Sequence, residues 1–384
     1  MLQKNINIAS ILEAIKAMEP IEGDVILLLF GEKSEVNYTD LIETLNQANI
    51  SFFGGIFPGI IHGGNNYESG CIIKKFKAIQ APSLIKGLER EKIDIPSLLP
   101  LAESSDIKPT AFTLVDGLTK NISSCLMGLF HELGNAVNFI GGGAGSLSLV
   151  QQPCLICPEG VYQDAAIVCL LKYDVKLGVK HGWQQLEGPI VATKTDGNKV
   201  IELNWQAAFE VYKNIVEEDA NIGLDENQAI SLNAENFFGI AKGYPFGMYQ
   251  EGKEDVVRDP IAVNERGELI CVGDIPENTV LNVLKGDAEK LIESAEIAVE
   301  STIDLKDDSE RLRHTLVVDC ISRTLFLEDT FSKELEVVNH RVKSTRSEVT
   351  PQGILSLGEI SSYGEGTLEF FNKTIVIGTL YRDI

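Results

Sequence analysis

The residues able to do chemistry in this chain are few and scattered. His62 and His181 each lie beside glycine, where a large planar ring can approach the backbone. Phe57 and Ile61 precede or adjoin the first, and Trp183 follows the second. A haem needs an imidazole in an apolar pocket with its second nitrogen held by another group, and both positions meet the residue-type requirement. The competing reading of each is a histidine satisfied within the core or at the surface. Arg258 and Arg323 each carry a planar fork suited to a ligand carboxylate, and Glu359, after Gly358, suits a ligand ammonium. Together they would read an amino acid or similar zwitterion. The alternative is an internal ion pair joining segments of the second half. Cys154-Leu155-Ile156-Cys157 is a lone C-x-x-C. No second pair or nearby histidine completes a zinc site, no histidine follows for c-type haem attachment, and no helix opens there after a strand, so the spacing reads as coincidence. An enzyme, a hydrolase or isomerase, would have to use Cys320 and Glu359 in a cleft.

No recognised catalytic signature supports that enzyme. G-x-S-x-G, a P-loop, H-E-x-x-H and a strand-to-helix G-x-G-x-x-G are all missing from the sequence. The run Gly141–Gly145 lacks the Lys-Ser/Thr ending of a phosphate loop and reads as a tight turn where backbones approach closely. The chain has 384 residues, suited to two domains, and 44% are hydrophobic against 23% charged, which places it among core-burying globular proteins. Its net charge of -23, from 56 acidic and 33 basic residues, repels phosphate backbones and anionic lipid, so nucleic acid is not an expected partner. The Ile6–Ala17 segment carries Glu13 and Lys16, unlike a secretory signal. The most apolar run, Val25–Phe30, is far short of the roughly 18 residues of a membrane span. Seven scattered cysteines, an odd count in apolar surroundings, predict buried free thiols and a cytoplasmic protein without membrane insertion.

Strands and helices must position these residues, and the first half alternates them. Val25–Phe30 reads as a buried strand, Tyr38–Gln47 as a helix, and Ser51–Phe53 as a strand running into a Gly-rich turn. Cys71–Phe76 and Ala111–Val115 are further strands. Asn121–Leu133 is a helix stopped by Gly134, followed by strand Val137–Ile140. Then Ala165–Leu171, Val175–Lys180, Ile190–Thr195 and Lys199–Leu203 read as a four-strand meander, with a hairpin signal at Asp196-Gly197. Gln206–Val216 is helical, and Glu217–Asn233 is a polar connection. In the last third, Pro260–Val263, Glu268–Val272, Thr279–Val283 and Thr315–Val318 are strands, while Ala288–Ile303 and most of Arg323–Val342 are helix. Gly353–Leu357, Gly366–Phe371 and Thr374–Leu380 close the chain as a second meander, and no short-period repeat stands out.

Several stretches in this order resemble the FIST family. Val115-Asp116-Gly117-Leu118, a helix, and Phe139–Gly145 are similar to its "DGL…GGLAGD" stretch. Asp164-Ala165-Ala166, His181-Gly182-Trp183 and Val200–Leu203 follow the next part of its pattern. Tyr244–Gly247, Val257-Arg258-Asp259-Pro260, Gly273–Pro276, Gly358-Glu359-Ile360 and Phe371-Asn372-Lys373-Thr374 carry the resemblance to the end, covering about Gly23 to Leu380. Two departures stand out. The first Gly-rich stretch, Gly54–Gly64, is apolar with a single histidine, and Ser146 stands where an aspartate is usual.

The resemblance implies a mixed α+β fold of two related lobes, each with mixed sheets, helices and a closing antiparallel meander. The lobes would be a FIST N-like domain over 1–203 and a FIST C-like domain over 204–384. It implies small-molecule sensing, with an amino acid or haem b and nitric oxide as ligand. The output would pass to a separate partner such as a histidine kinase. The implied ligand-binding set is Arg258, Asp259, Arg323, Glu359, Asn372, Asp116, Gly142 and Gly143, with His181 ahead of His62 as haem ligand.

Overall fold

A computed structural model describes residues 1–4, 6–104, 107–220, 232–233, 235–251, 254–303, 311–362 and 368–381. The fold is mixed α+β, built from mixed and antiparallel sheets. Its plan is a repeat used three times. Each copy has a short leading strand, a helix, a strand, a second helix, a parallel strand, a hairpin and a returning antiparallel strand. In the first copy the parallel pair is Asp24–Gly31 and Phe52–Phe57 around helix Tyr38–Gln47; in the second it is Thr110–Asp116 and Asn138–Ala144 around Ile122–Leu133. In the third it is Leu312–Cys320 and Gln352–Ser356, around Ile321–Leu327 and Phe331–Thr345. The returning strands Cys71–Lys77, Ala165–Leu171 and Ile375–Tyr381 flank the first strand of their own pair.

The hairpins do not return home. Gly59–His62 with Asn65–Tyr67 extends the third copy's sheet, Leu155–Cys157 with Gly160–Tyr162 extends the first, and Glu359–Ser362 with Leu368–Phe371 extends the second. This cyclic exchange locks three six-stranded sheets together and joins strands from both halves of the chain. The same close approach recurs in each copy. A Cβ at Gly54, Gly141 or Gly353 would lie 1.9, 1.7 or 1.6 Å from the carbonyl oxygen of Leu28, Thr113 or Val317, the residue paired with it across the parallel strands. The Gly-rich runs expected as turns are therefore strand interior here, because only glycine lets these backbones pack so closely.

The chain leaves the third copy between Asp174–Lys180 and helix Ala288–Ser301 to build an antiparallel barrel. Its strands run in the order Gln184–Asp196, Val280–Lys285, Phe246–Met248, Val256–Val263, Leu269–Val272 and Lys199–Leu203, and the last pairs with the first to close the ring. Closure removes the sheet edges, and Val200, Phe246, Leu269, Leu281 and Val283 are fully buried in one cluster. All four strands expected as the first meander are present, but only the last two pair in chain order, Gln184–Asp196 with Lys199–Leu203 across the expected Asp196-Gly197 turn. Ala165–Leu171 lies in the second copy's sheet, Asp174–Lys180 in the third copy's sheet, and the other two in the barrel. Periodicity locates strands and says nothing of partners: that of Asp174–Lys180 is Ile375–Tyr381, at the far end of the chain. The expected helix Arg323–Val342 is interrupted at Glu328–Thr330, where Glu328 has a φ of 47°. In the expected connection Glu217–Asn233, residues 221–231 lie outside the described residues, as do Gly366 and Thr367 of the expected strand Gly366–Phe371. No helix among the described residues is long and apolar enough to cross a membrane.

Candidate functional site

The largest described cleft, of about 770 Å³, opens where the barrel meets the second and third repeats. Three turns form its walls. Gly117–Lys120 follows strand Thr110–Asp116, Gly197-Asn198 is the barrel's hairpin turn, and Leu357-Gly358 links Gln352–Ser356 to the exchanged hairpin. Val256–Val263 supplies Asp259 and Ile261. Its ladder shifts register between Pro260 and Ala262, because proline has no N–H to donate, and Ile261 is left free to line the cleft. The rim is apolar: Leu147, Leu149 and Phe238 are exposed there, and Leu325, Leu357 and Phe370 lie deeper.

Polar groups gather on the floor. Asp259 Oδ2 accepts from Ser322 Oγ at 3.3 Å and pairs with Lys373 Nζ at 3.1 Å, whereas Asp259 Oδ1 is buried with no hydrogen-bond partner among the described residues. Lys373 is fully buried, donates to the Lys242 carbonyl at 2.8 Å, and sits 4.8 Å over the Trp183 ring. Burial pushes the Asp259 carboxyl up, and the charge of Lys373 opposes that shift. Asn372 Nδ2 donates to the Val272 carbonyl at 3.2 Å and also lines the cleft. Cys320 borders the floor, with its thiol pushed up by burial and by the nearby Glu359 carboxylate, which makes it a poor nucleophile at neutral pH. All seven cysteines are free and buried, and the Cys157 thiol is pushed up to about 12.

Glu359 lies behind this floor, wholly buried, accepting from Ser356 Oγ at 2.7 Å and from the Thr374 N–H at 3.3 Å. Burial raises its pKa to about 8 from an ordinary 4.5, and the two hydrogen bonds only partly offset the shift. Its contribution to stability is therefore present in full below about pH 4.5 and is lost as the pH climbs through about 8. Glu359→Gln should flatten that limb. Urea melts of the two proteins across this window measure it, and parallel pH dependences would refute the assignment.

The other expected site residues are dispersed. Arg323 is fully buried and spoken for within the protein: Nε and Nη2 fork onto Glu334 at 3.0 and 2.5 Å, Nη1 donates to the His181 carbonyl at 2.5 Å, and Nη2 to the Leu291 carbonyl at 3.0 Å. Arg258 is 5% exposed and donates to the backbone carbonyls of Asp274, Val257 and Phe370 at 2.9, 3.1 and 3.0 Å, stitching two cleft walls together from behind. Asp116 accepts from Gln151 Nε2 and from the N–H groups of Leu118 and Asp164, which holds the Gly117 turn in place. Gly142 and Gly143 lie inside strand Asn138–Ala144, where Gly143 exchanges hydrogen bonds with Gly358 and Leu357. His181 has both ring nitrogens engaged, accepting from the Trp183 N–H at 2.9 Å and facing Glu254 at 2.9 Å. His62 lines a separate cleft beside Lys74. Asp259 and Asn372 alone of the expected set line the large cleft. Lys373 and Ser322 were missed. The signal for Lys373 was a lone lysine between the apolar runs Leu368–Phe371 and Ile375–Tyr381.

A two-part α+β module with a lined cleft at the junction of its parts is the class of protein that this geometry defines. The chain belongs to the FIST family: the FIST N domain matches residues 24–206 and the FIST C domain residues 208–362. FIST domains are associated with small-ligand sensing in signal transduction. Comparison with curated proteins finds no match.

Proposed function

We propose that this protein is a cytoplasmic sensor that binds a small ligand in the large cleft and signals to a separate protein such as a histidine kinase. The observation that carries this reading is Asp259 Oδ1, a buried acceptor without a partner on the floor of a cleft of about 770 Å³ with an apolar rim. A buried acceptor left unpaired is costly, and a ligand donor would relieve that cost. The chemistry favours a ligand with an apolar body and an amino or ammonium group, an amino acid among the candidates. Such a ligand touches both the barrel and the repeats, so its binding energy biases their relative placement.

Haem is the weaker occupant, since no histidine lines this cleft and the nitrogens of His181 are both engaged. A saturable Soret band on adding haemin, lost in His62→Ala, would favour haem instead.

The test is a thermal-shift panel of amino acids and small amines, followed by calorimetry on any hit. Saturable binding without chemical conversion is expected. Ile261→Trp, which fills the cleft from its wall, should abolish binding while leaving the melting temperature of the free protein nearly unchanged. Asp259→Asn should weaken binding by about 2 kcal/mol, roughly thirtyfold. Affinity unchanged in Ile261→Trp would place the ligand elsewhere, and a metabolite converted by the chain alone would replace the sensor with an enzyme.

A further inference from the structure

Strand Cys71–Lys77 alternates its faces. Cys71 and Ile73 join the cluster beneath the first copy's helices, and Ile72 and Phe76 join the central cluster on the other side. Lys74 occupies the inner row between Ile72 and Phe76 and is only 7% exposed. A lysine in a core row is rarely left without a counter-charge. Its sequence neighbours have one: Lys75 and Lys77, on the opposite face, reach Asp24 at 3.6 and 2.8 Å. Among the described residues no carboxylate lies within ion-pair distance of Lys74, and no acceptor takes its protons.

Lys74 borders a second cleft, of about 480 Å³, where the first copy's sheet meets the third copy's. Apart from Glu348, the described charged residues that line the cleft with Lys74 are cationic. Arg313 and Arg346 line the same cleft, with His62 and His314. Burial, and after it the neighbouring positive charges, Lys74 among them, hold both imidazoles below their ordinary range, so both rings are neutral and neither repels nor pairs with Lys74 as an ion. Among the described residues the single lining carboxylate, Glu348, is held by Arg346 at 2.8 Å. A concentration of positive charge at a concave site is unexpected on a chain of net charge -23 unless it serves a ligand of opposite sign.

We propose that this second cleft binds a small oxyanion, the carboxylate or phosphate group of a low-mass metabolite, with Lys74 as its inner charge. The anion supplies the counter-charge that the described residues do not, and Arg313 lines the same cleft. The site is separate from the large cleft and gives the protein a second input.

Calorimetry of the full chain with inorganic phosphate and, separately, with succinate tests this. One probe should bind saturably at one site; tighter phosphate identifies a phosphate ester as the class, and tighter succinate a carboxylate. Lys74→Met should lower the affinity at least tenfold, Arg313→Gln by a smaller factor, and Ile261→Trp, in the other cleft, not at all. Failure of both probes to saturate overturns the proposal, as does wild-type affinity in Lys74→Met. If Lys74→Met does not fold, wild-type affinity in Arg313→Gln overturns it as well.

Discussion

Arg323→Met should leave little or no stably folded protein. The guanidinium joins four elements at once: its own helix Ile321–Leu327, helix Phe331–Thr345 through Glu334, helix Ala288–Ser301 through the Leu291 carbonyl, and the end of strand Asp174–Lys180 through the His181 carbonyl. Methionine fills much of the volume but leaves Glu334 fully buried without its partner. Removing one member of a buried pair costs about 3–5 kcal/mol, against a total stability of about 5–15 kcal/mol for a native protein. Asp319 makes matters worse. It lies 3.4 Å from Arg323 Nε with both carboxylate oxygens otherwise unpartnered, and burial and the Glu334 charge push its pKa well up. The double variant Arg323→Met/Glu334→Leu should recover part of the loss, because Glu334 is then no longer a buried charge without its partner, although Asp319 still lacks Arg323. Soluble yield and urea midpoints measure both. A single variant melting within a degree or two of wild type would show that the network is not what holds these elements together.

The second large effect is expected at the repeat glycines. Gly353→Ala places a methyl group 1.6 Å from the Val317 carbonyl oxygen and 2.6 Å from its carbon. Both atoms are backbone at the middle of a parallel pair, so no side chain can swing aside. The two strands must separate, at a cost on the order of 4–5 kcal/mol, beyond the usual range of overpacking. Gly54→Ala and Gly141→Ala face the same obstruction from Leu28 and Thr113, and all three should fail alike. Gly239→Ala, with no atom within 4 Å of the added carbon, is the control and should be neutral or slightly stabilising in its helix. Equal tolerance at all four positions would contradict the backbone obstruction, and tolerance at one repeat glycine alone would contradict the equivalence of the three copies.

The placement of Arg323 and Glu359, both buried behind the cleft and bonded within the protein, shows what a residue type conceals. Arginine next to a cleft and arginine in an ion-pair hub have the same letters around them; the difference lies in Glu334, Leu291 and His181, which the fold brings in from three separate elements. Asp259 and Asn372 line the cleft, and the group that pairs with Asp259 is Lys373, which the pattern of a closing strand pair hides.

The strands and helices were legible in the sequence because their apolar residues recur with the period of each element. The runs Val25–Phe30, Ala165–Leu171 and Asn121–Leu133 declare themselves from nearest neighbours alone. Family membership was legible for a related reason, since short motifs kept their order along nearly the whole chain. The threefold repeat, the cyclic exchange of hairpins and the two clefts were decided only by the tertiary structure. A hairpin such as Gly59–Tyr67 pairs equally well, by pattern, with any exposed apolar edge. Its choice of Gln352–Ser356, near the far end of the chain, depends on an edge that exists only once the third copy's parallel pair has formed.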